Sequence, residues 1–261
     1  MMVNEFVLEL RKRSGPLFWF GVFNVFLLIL AFIMFFIDPT LIKGINAWIK
    51  PMKFSVSITT YSWTFCWLMA YITKEKARKL IATGVIICMA VENILIYVQA
   101  FRGTTSHFNI HTALDGAIFS IMGIFIAINS VVILYTLFIF FSKDVHLEPV
   151  MLQAWRFGLI LFFVGGISGG WMVGILSHTV GATDGGPGLP LLNWSTVAGD
   201  IRVAHFITLH GLQIIPLFAF FFIKTSEKNA GILTSIFSAS YLVGCVFLHW
   251  MAYNGLPLVP A

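Results

Sequence analysis

The sequence carries little charge. Only 10% of its 261 residues are Asp, Glu, Lys or Arg, whereas 59% are hydrophobic, and the mean hydropathy is +0.92. A soluble domain has about 25% charged residues, so this composition excludes an ordinary soluble fold. The apolar runs are roughly 20 residues long, enough for a helix to cross a bilayer. They are continuous rather than alternating, which excludes a transmembrane β-barrel. The sequence therefore predicts an all-α integral membrane protein.

Cysteines and enzyme signatures are also scarce. The three cysteines, Cys66, Cys88 and Cys245, all fall inside apolar runs, so the sequence indicates no disulfide framework. The patterns HExxH, CxxCH, GxSxG, the P-loop and a GxGxxG between a strand and a helix are missing. No hydrolase or nucleotide-dependent enzyme is therefore specified by a motif.

Breaks at Pro, Gly and charge clusters divide the chain into a single bundle of about seven predicted transmembrane helices. They cover residues 16–37, 54–72, 80–101, 116–141, 152–177, 203–223 and 232–253. Eleven of the 16 Lys and Arg residues fall on the side of the N-terminus, which the positive-inside rule places in the cytoplasm. The C-terminus is then extracytoplasmic. We expect one polytopic membrane domain over residues 1–261, in the cytoplasmic membrane of a bacterium.

The net charge of +5 is explained by this topology and by contact with anionic headgroups. We therefore expect membrane lipids, and not nucleic acid, as partners. The sequence leaves the oligomeric state open.

Histidines are concentrated on the outward side. Six of the seven fall in outward loops or at outward helix ends: His107, His111, His178, His205, His210 and His249. Histidine is the commonest metal ligand, so these residues indicate a metal or cofactor site near the outer surface. The core of that site is expected to be His111, His210 and His249, holding haem b or a transition metal ion such as Fe, Zn or Cu. The alternative is that these rings simply lie at the wet interface.

Two carboxylates are candidate catalytic groups. Glu92 falls near the middle of the predicted helix 80–101, where a charged carboxyl is costly, and suits either a proton relay or a packing hydrogen bond. Asp115 lies one turn after His111 and is placed to assist a metal. Asn24 and Asn129, at similar depth, are expected to make interhelical hydrogen bonds.

Three outward cations are candidate cofactor-binding residues: Lys53, Arg102 and Arg202. They suit haem propionates or an anionic substrate, and the alternative partners are lipid headgroups. The loop over residues 178–204 is rich in Gly and Pro and contains Asp200 as a candidate helix cap. We expect it to form an ordered outward lid.

A glycine-rich stretch lies in the predicted helix 152–177. Gly165 and Gly169 are four residues apart, as are Gly170 and Gly174, which favours close helix packing over chemistry.

Three functions fit these features. The first is a membrane oxidoreductase or metalloenzyme acting on a small or lipid-soluble substrate, or with a redox partner. The second is a proton-coupled small-solute transporter or channel, with Glu92 as its coupling site. The third is a non-catalytic assembly partner. The number of outward histidines favours the first.

Overall fold

The structure, a computed structural model, describes residues 3–225 and 229–261. Within these residues the chain forms eight helices: α1 Val3–Arg13, α2 Gly15–Ile37, α3 Ile49–Met69, α4 Glu75–Phe101, α5 Ala113–Phe141, α6 Pro149–Ile175, α7 Ile201–Thr225 and α8 Ala230–Tyr253. Two antiparallel pairs of short strands accompany them: β1 Leu41–Ile42 with β2 Ile45–Asn46, and β3 Thr179–Val180 with β4 Gly199–Asp200. Lys228, one of the cations counted on the basic side, lies outside the described residues.

Among the described helices, six are long and apolar enough to cross a membrane, namely α2 and α4 to α8. This confirms the all-α membrane class. The predicted span 54–72 corresponds to α3, which is not among the six because Lys, Ser and Thr residues lower its hydropathy. The number of seven spans and the sides of the two termini stay predictions.

Nothing in the hydropathy pattern predicts α1. With 11 residues, α1 is too short to cross a bilayer, and its last three residues are basic. The guanidinium of Arg13 lies 3.8 Å from the ring centroid of Trp67 and donates to the Trp67 carbonyl at 3.0 Å. These contacts pack α1 against the end of α3.

The chain divides into two compact units. The first extends to Tyr135 and includes Asp144–His146, and the second comprises Thr136–Lys143 and Leu147–Ala261. The single membrane domain expected over residues 1–261 stays a prediction.

In the first unit, α3 runs antiparallel to α2 along its length. At one end Trp48 Nε1 donates to Asp38 Oδ2 at 2.7 Å, and further along Trp63 Nε1 donates to the Phe18 carbonyl at 3.3 Å. Gly21 makes the approach possible, because a Cβ there would lie 2.1 Å from Trp63 Nε1. With 21 residues, α3 is roughly 31 Å long. It therefore matches the apolar α2 over a membrane-crossing distance.

In the second unit, glycines of α6 let α7 approach closely. A Cβ on Gly158 would lie 3.0 Å from Leu212 Cα, and a Cβ on Gly165 would lie 3.1 Å from the backbone nitrogen of Leu209. Gly169 faces the ring of His205 on α7. The packing role predicted for this glycine stretch is therefore visible at Gly165 and Gly169, whereas a Cβ on Gly170 or Gly174 would meet no described atom within 4 Å.

Candidate functional site

Glu92 of α4 is buried inside the first unit, with a side chain that is only 3% exposed. Its Oε1 lies 3.4 Å from Nε2 of His107. Its Oε2 is buried and has no hydrogen-bond partner among the residues that the structure describes. Glu92 stands roughly 14 Å along the helix axis from the end of α4 at Phe101. The contact therefore requires the following loop to fold back into the helices.

The loop over residues 102–112 performs this return and places His107 among aromatic rings. The His107 ring centroid lies 5.8 Å from that of Phe54 and 6.2 Å from that of Phe119. Phe108 has φ 56°, a left-handed conformation that bulky residues rarely adopt, and packs edge-on against Phe119. Nδ1 of His107 lies 3.2 Å from Ser106 Oγ. The apolar rings thus surround the imidazole while its Nε2 meets the carboxylate.

A charged network holds the two ends of this loop together. Asp115 Oδ1 accepts from Arg102 Nη1 at 2.6 Å and from Gln99 Nε2 at 2.9 Å. Thr112 Oγ1 donates to Asp115 Oδ2 at 2.6 Å and accepts from the Asp115 backbone N–H at 3.1 Å, as in a helix cap. Asp115 and Arg102, predicted as catalytic and cofactor-binding residues, therefore pair with each other and position the loop.

The other predicted residues of the first unit lie around this loop and the start of α3. His111 is exposed just before α5, and Lys53 is half-buried in α3. Lys50 Nζ lies 5.7 Å from the ring centroid of Phe54, and its charge acts on Glu92. Lys50 is thus the cation that faces the Glu92 and His107 pair.

A hydrogen-bonded polar cluster begins at Asn93, the residue that follows Glu92 on α4. Asn93 Nδ2 donates to Asn24 Oδ1 at 2.7 Å and lies 3.4 Å from Ser55 Oγ. The hydroxyls of Ser55 and Tyr97 lie 3.0 Å apart, and Tyr97 donates to the Leu27 carbonyl at 2.6 Å. The bond to Asn24 joins α2 to α4, as predicted. A similar bond from Tyr61 to Asn129 Oδ1, at 3.0 Å, joins α3 to α5.

In the second unit, His178 lies among the acidic residues of the loop between α6 and α7. Its Nδ1 is 3.3 Å from Asp184 Oδ1 and 3.9 Å from Asp200 Oδ1. Burial opposes ionisation of Asp184, but His178 and the donors of Ser177 and Thr179 outweigh it, so that the pKa of Asp184 is lowered. Asp184 therefore closes the first turn of the loop as a carboxylate.

Asp200 fixes the other end of the same loop. Arg202 Nε and Nη2 donate to its two oxygens at 2.9 and 2.6 Å, and Arg202 also donates to the Asn193 carbonyl. The Ser195 backbone N–H donates to Asp200 Oδ2 at 2.9 Å. Arg202, predicted to bind a cofactor, is therefore engaged within the loop that was expected to form a lid.

Three further predicted histidines lie on α7 and α8. His205 Nδ1 is 2.7 Å from the Gly165 carbonyl, and His249 Nδ1 is 2.8 Å from the Cys245 carbonyl. His205 and His249 are close enough for their charges to interact. His210 Nδ1 lies 3.2 Å from Gln213 Oε1 on its own helix.

The six histidines are thus divided between the two units. His107 and His111 belong to the first, and His178, His205, His210 and His249 belong to the second. No group of three or more His, Cys, Asp or Glu side chains is placed to hold a metal ion within residues 3–225 and 229–261. Binding of haem or a metal stays a proposal.

Sequence reasoning missed the hydroxyl groups that extend the Glu92 cluster. Ser55, Thr59, Ser62 and Cys66 are all buried on α3. Their spacing of four, three and four residues places them on one helix face, and this pattern is visible in the sequence. No spacing pattern in the sequence indicates the partners of His107, because the conformation of a loop brings them together.

These features define a polytopic helical membrane protein in which a buried carboxylate contacts a half-buried imidazole. Comparison of the chain with known protein families, curated proteins and solved structures finds no match.

Proposed function

We propose that this protein is a proton-coupled transporter or channel for a small solute, in which Glu92 and His107 bind the coupling proton. The observation that carries this proposal is the 3.4 Å contact between Glu92 Oε1 and His107 Nε2 inside a unit of membrane helices. Ionisable groups at membrane depth are costly, and they mark ion pathways and proton relays.

The two side chains complement each other chemically. Histidine changes its charge between about pH 5 and 8, and a carboxylate beside it accepts the proton that the imidazole releases. The His107 side chain is 26% exposed, whereas that of Glu92 is 3% exposed. His107 therefore connects Glu92 with one surface of the first unit, and the contact carries the proton inward.

We also propose that the chain crosses the membrane seven times, with its N-terminus in the cytoplasm of a bacterium. It is supported by the pairing of α3 with α2, since Thr59 Oγ1, midway along α3, donates at 3.4 Å to the Gly21 carbonyl in the first third of α2. At the far end of α3, Cys66 Sγ donates at 3.3 Å to the carbonyl of Ser14, the residue that precedes α2. Because α3 follows the apolar helix α2 over this length, we propose that α3 crosses the same thickness of membrane.

The test is proton flux in proteoliposomes that contain a trapped pH dye. A potassium gradient with valinomycin drives the flux, first without solute and then with a panel of amino acids, carboxylates, sugars and nucleosides. We expect Glu92→Gln to lower the flux at least about tenfold, because the amide of Gln cannot bind and release the coupling proton. His107→Gln should lower the flux and flatten its dependence on pH between about 5 and 8.

Glu75→Gln is the matched control, because Glu75 lies on the same helix and its side chain is 66% exposed. It should behave as the wild type. Equal flux in Glu92→Gln and Glu75→Gln, with and without every solute, would overturn the proposal.

A second candidate function is supported by the tautomers of His205 and His249. Both place Nδ1 at a backbone carbonyl, at 2.7 and 2.8 Å, so that Nδ1 donates and Nε2 carries the lone pair that binds a metal. These two residues suit haem b or an Fe, Zn or Cu ion. The bound group would supply electron transfer or activate a small lipid-soluble substrate.

The test is an absorption spectrum of the purified protein, oxidised and dithionite-reduced, with elemental analysis of the same sample. A Soret band or stoichiometric metal that is lost in both His205→Ala and His249→Ala is expected. A colourless and metal-free protein after reconstitution with haemin or metal salts would exclude this function.

A further inference from the structure

We infer that a row of buried polar groups on α3 provides a water-bridged path by which the proton bound at Glu92 reaches the far end of the first unit. This inference rests on the proposed function, because it supplies the second half of the route that begins at His107.

The row consists of Ser55, Thr59, Ser62 and Cys66. Their relative exposures are 0%, 8%, 0% and 0%, so the whole row faces the interior of the unit. Apolar side chains pack a membrane helix equally well, and buried hydroxyls are tolerated there only with hydrogen-bond partners. Three hydroxyls and a thiol on one face indicate a polar path rather than ordinary packing.

The row begins beside the Glu92 cluster. Ser55 Oγ lies 3.4 Å from Asn93 Nδ2 and 3.0 Å from the Tyr97 hydroxyl. Phe54, the residue before Ser55, contacts the ring of His107. The first hydroxyl of the row is therefore next to the residues that surround the carboxylate.

The row ends where α1 meets α3. Cys66 Sγ lies 2.9 Å from the Leu10 carbonyl and 3.3 Å from the Ser14 carbonyl. This end carries the basic N-terminal residues and is the one expected to face the cytoplasm. The path thus leads away from the loop that carries His107.

Unpartnered polar atoms coincide with this path. Among the described residues, five buried side-chain N or O atoms lack a hydrogen-bond partner, and three of them are Ser62 Oγ, Glu92 Oε2 and Asn93 Oδ1 on α3 and α4. Buried polar groups nearly always have a partner, and when no protein atom serves, an ordered water does. Both Ser62 and Glu92 are therefore placed to bind water.

The spacing of the row suits single bridging waters. Residues three or four apart are about 4.5 to 6 Å apart along a helix axis, and one water with two hydrogen bonds of about 2.8 Å spans such a gap. His107 gives a proton to Glu92 Oε1, and Glu92 releases one from Oε2 to the first water. Each hydroxyl then accepts a proton from one water and gives its own to the next water. Thr59 Oγ1 donates to the Ser55 carbonyl at 2.8 Å and turns its hydrogen from that carbonyl to the water for this step. The water beside the Cys66 thiol takes the last proton. One proton enters at His107 and one leaves to bulk water beyond Cys66.

The experiment compares Ser62→Ala with Ser57→Ala in the same proteoliposome assay. Ser57 lies on the same helix and is exposed, so its loss leaves the row intact. We expect Ser62→Ala to lower the proton flux by about fivefold to tenfold, the effect of losing one hydrogen-bonded step. Ser62→Thr retains the hydroxyl and should restore most of the flux. Thermal unfolding of each variant shows that it is folded.

Infrared titration of the Glu92 carboxyl band supplies a second readout. Ser62→Ala should leave the pH of half-protonation unchanged, because the residue acts on passage and not on binding at Glu92.

The outcomes separate the two proposals. If Ser62→Ala equals Ser57→Ala while Glu92→Gln still abolishes the flux, the path along α3 is wrong and the proposed function stands. Equally low flux in Ser62→Ala and Ser62→Thr would mean that packing and not the hydroxyl matters, and would also overturn the path. Unchanged flux in Glu92→Gln would remove both.

Discussion

Arg102 Nη1 lies 2.6 Å from Asp115 Oδ1, and this ion pair joins the end of α4 to the first turn of α5. The loop between these two residues carries His107 to Glu92. The pair therefore helps to position the loop that forms the candidate site. Both residues are predicted from the sequence as site residues, and the structure gives them a positioning role.

Replacing Asp115 with Asn should destabilise the protein. The variant loses the charge that binds Arg102 and weakens the bond from Thr112, so that the charge-assisted network between α4 and α5 is lost. The measurement is the midpoint of thermal unfolding in detergent. Lys79→Gln is the control, because its pair with Glu75 is exposed and contributes little. A decrease of the same size in both variants would contradict the role of Asp115.

The loop between α6 and α7 should contribute less to the stability of the protein in acid. The pKa of Asp184 is lowered in the folded protein from its ordinary value of 3.8, so the folded state binds fewer protons than the unfolded state. The stabilisation is present above that ordinary value and is lost as the pH falls through the lower, folded value. His178 faces Asp184 at 3.3 Å and also lies 3.9 Å from Asp200.

Asp184→Asn should remove this acid-dependent part of the stability. Thermal unfolding of wild type and variant between about pH 3 and 6 measures it, and the two curves should approach each other as the pH falls. A constant difference between them across this range would show that the Asp184 charge plays no part.

Two glycines of α6 should respond differently to an added methyl group. A Cβ on Gly165 would lie 2.9 Å from Leu209 Cδ2 and 3.1 Å from the Leu209 backbone nitrogen. Gly165→Ala should therefore separate α6 from α7 and cost about 1 to 3 kcal/mol. A Cβ on Gly170 meets no described atom within 4 Å, so Gly170→Ala should be neutral or stabilising by up to about 1 kcal/mol. Thermal unfolding of the two variants tests this, and the reverse order would contradict it.

The proposed membrane crossing of α3 predicts the sides of the termini. If α3 crosses together with the six apolar helices, the N-terminus and the C-terminus lie on opposite sides of the membrane. Reporter fusions at the two termini and in the connection at Lys74 measure this. We expect cytoplasmic signals at the N-terminus and at Lys74, and an extracytoplasmic signal at the C-terminus. Both termini on one side would exclude the crossing of α3.

The outward histidines show how far sequence reasoning reaches. Their number and position along the chain indicate a polar site, and His107 does lie in one. From the sequence, His111 and not His107 is expected at the core of that site. In the structure the loop that carries His107 turns inward, Phe108 adopts a left-handed conformation, and His107 reaches the carboxylate while His111 is exposed. The periodicity of a helix cannot predict a loop that turns inward in this way.

The sequence by itself determined the membrane class, the approximate positions of α2 to α8 and the place of Glu92 within an apolar helix, because hydropathy and helix length are properties of a local stretch of chain. Only the tertiary structure decided that Asp115 binds Arg102, that His178 binds Asp184 and that His107 meets Glu92. These contacts depend on backbone turns and on which helix faces pack together, and the free energy of those choices is distributed over residues far apart in the chain.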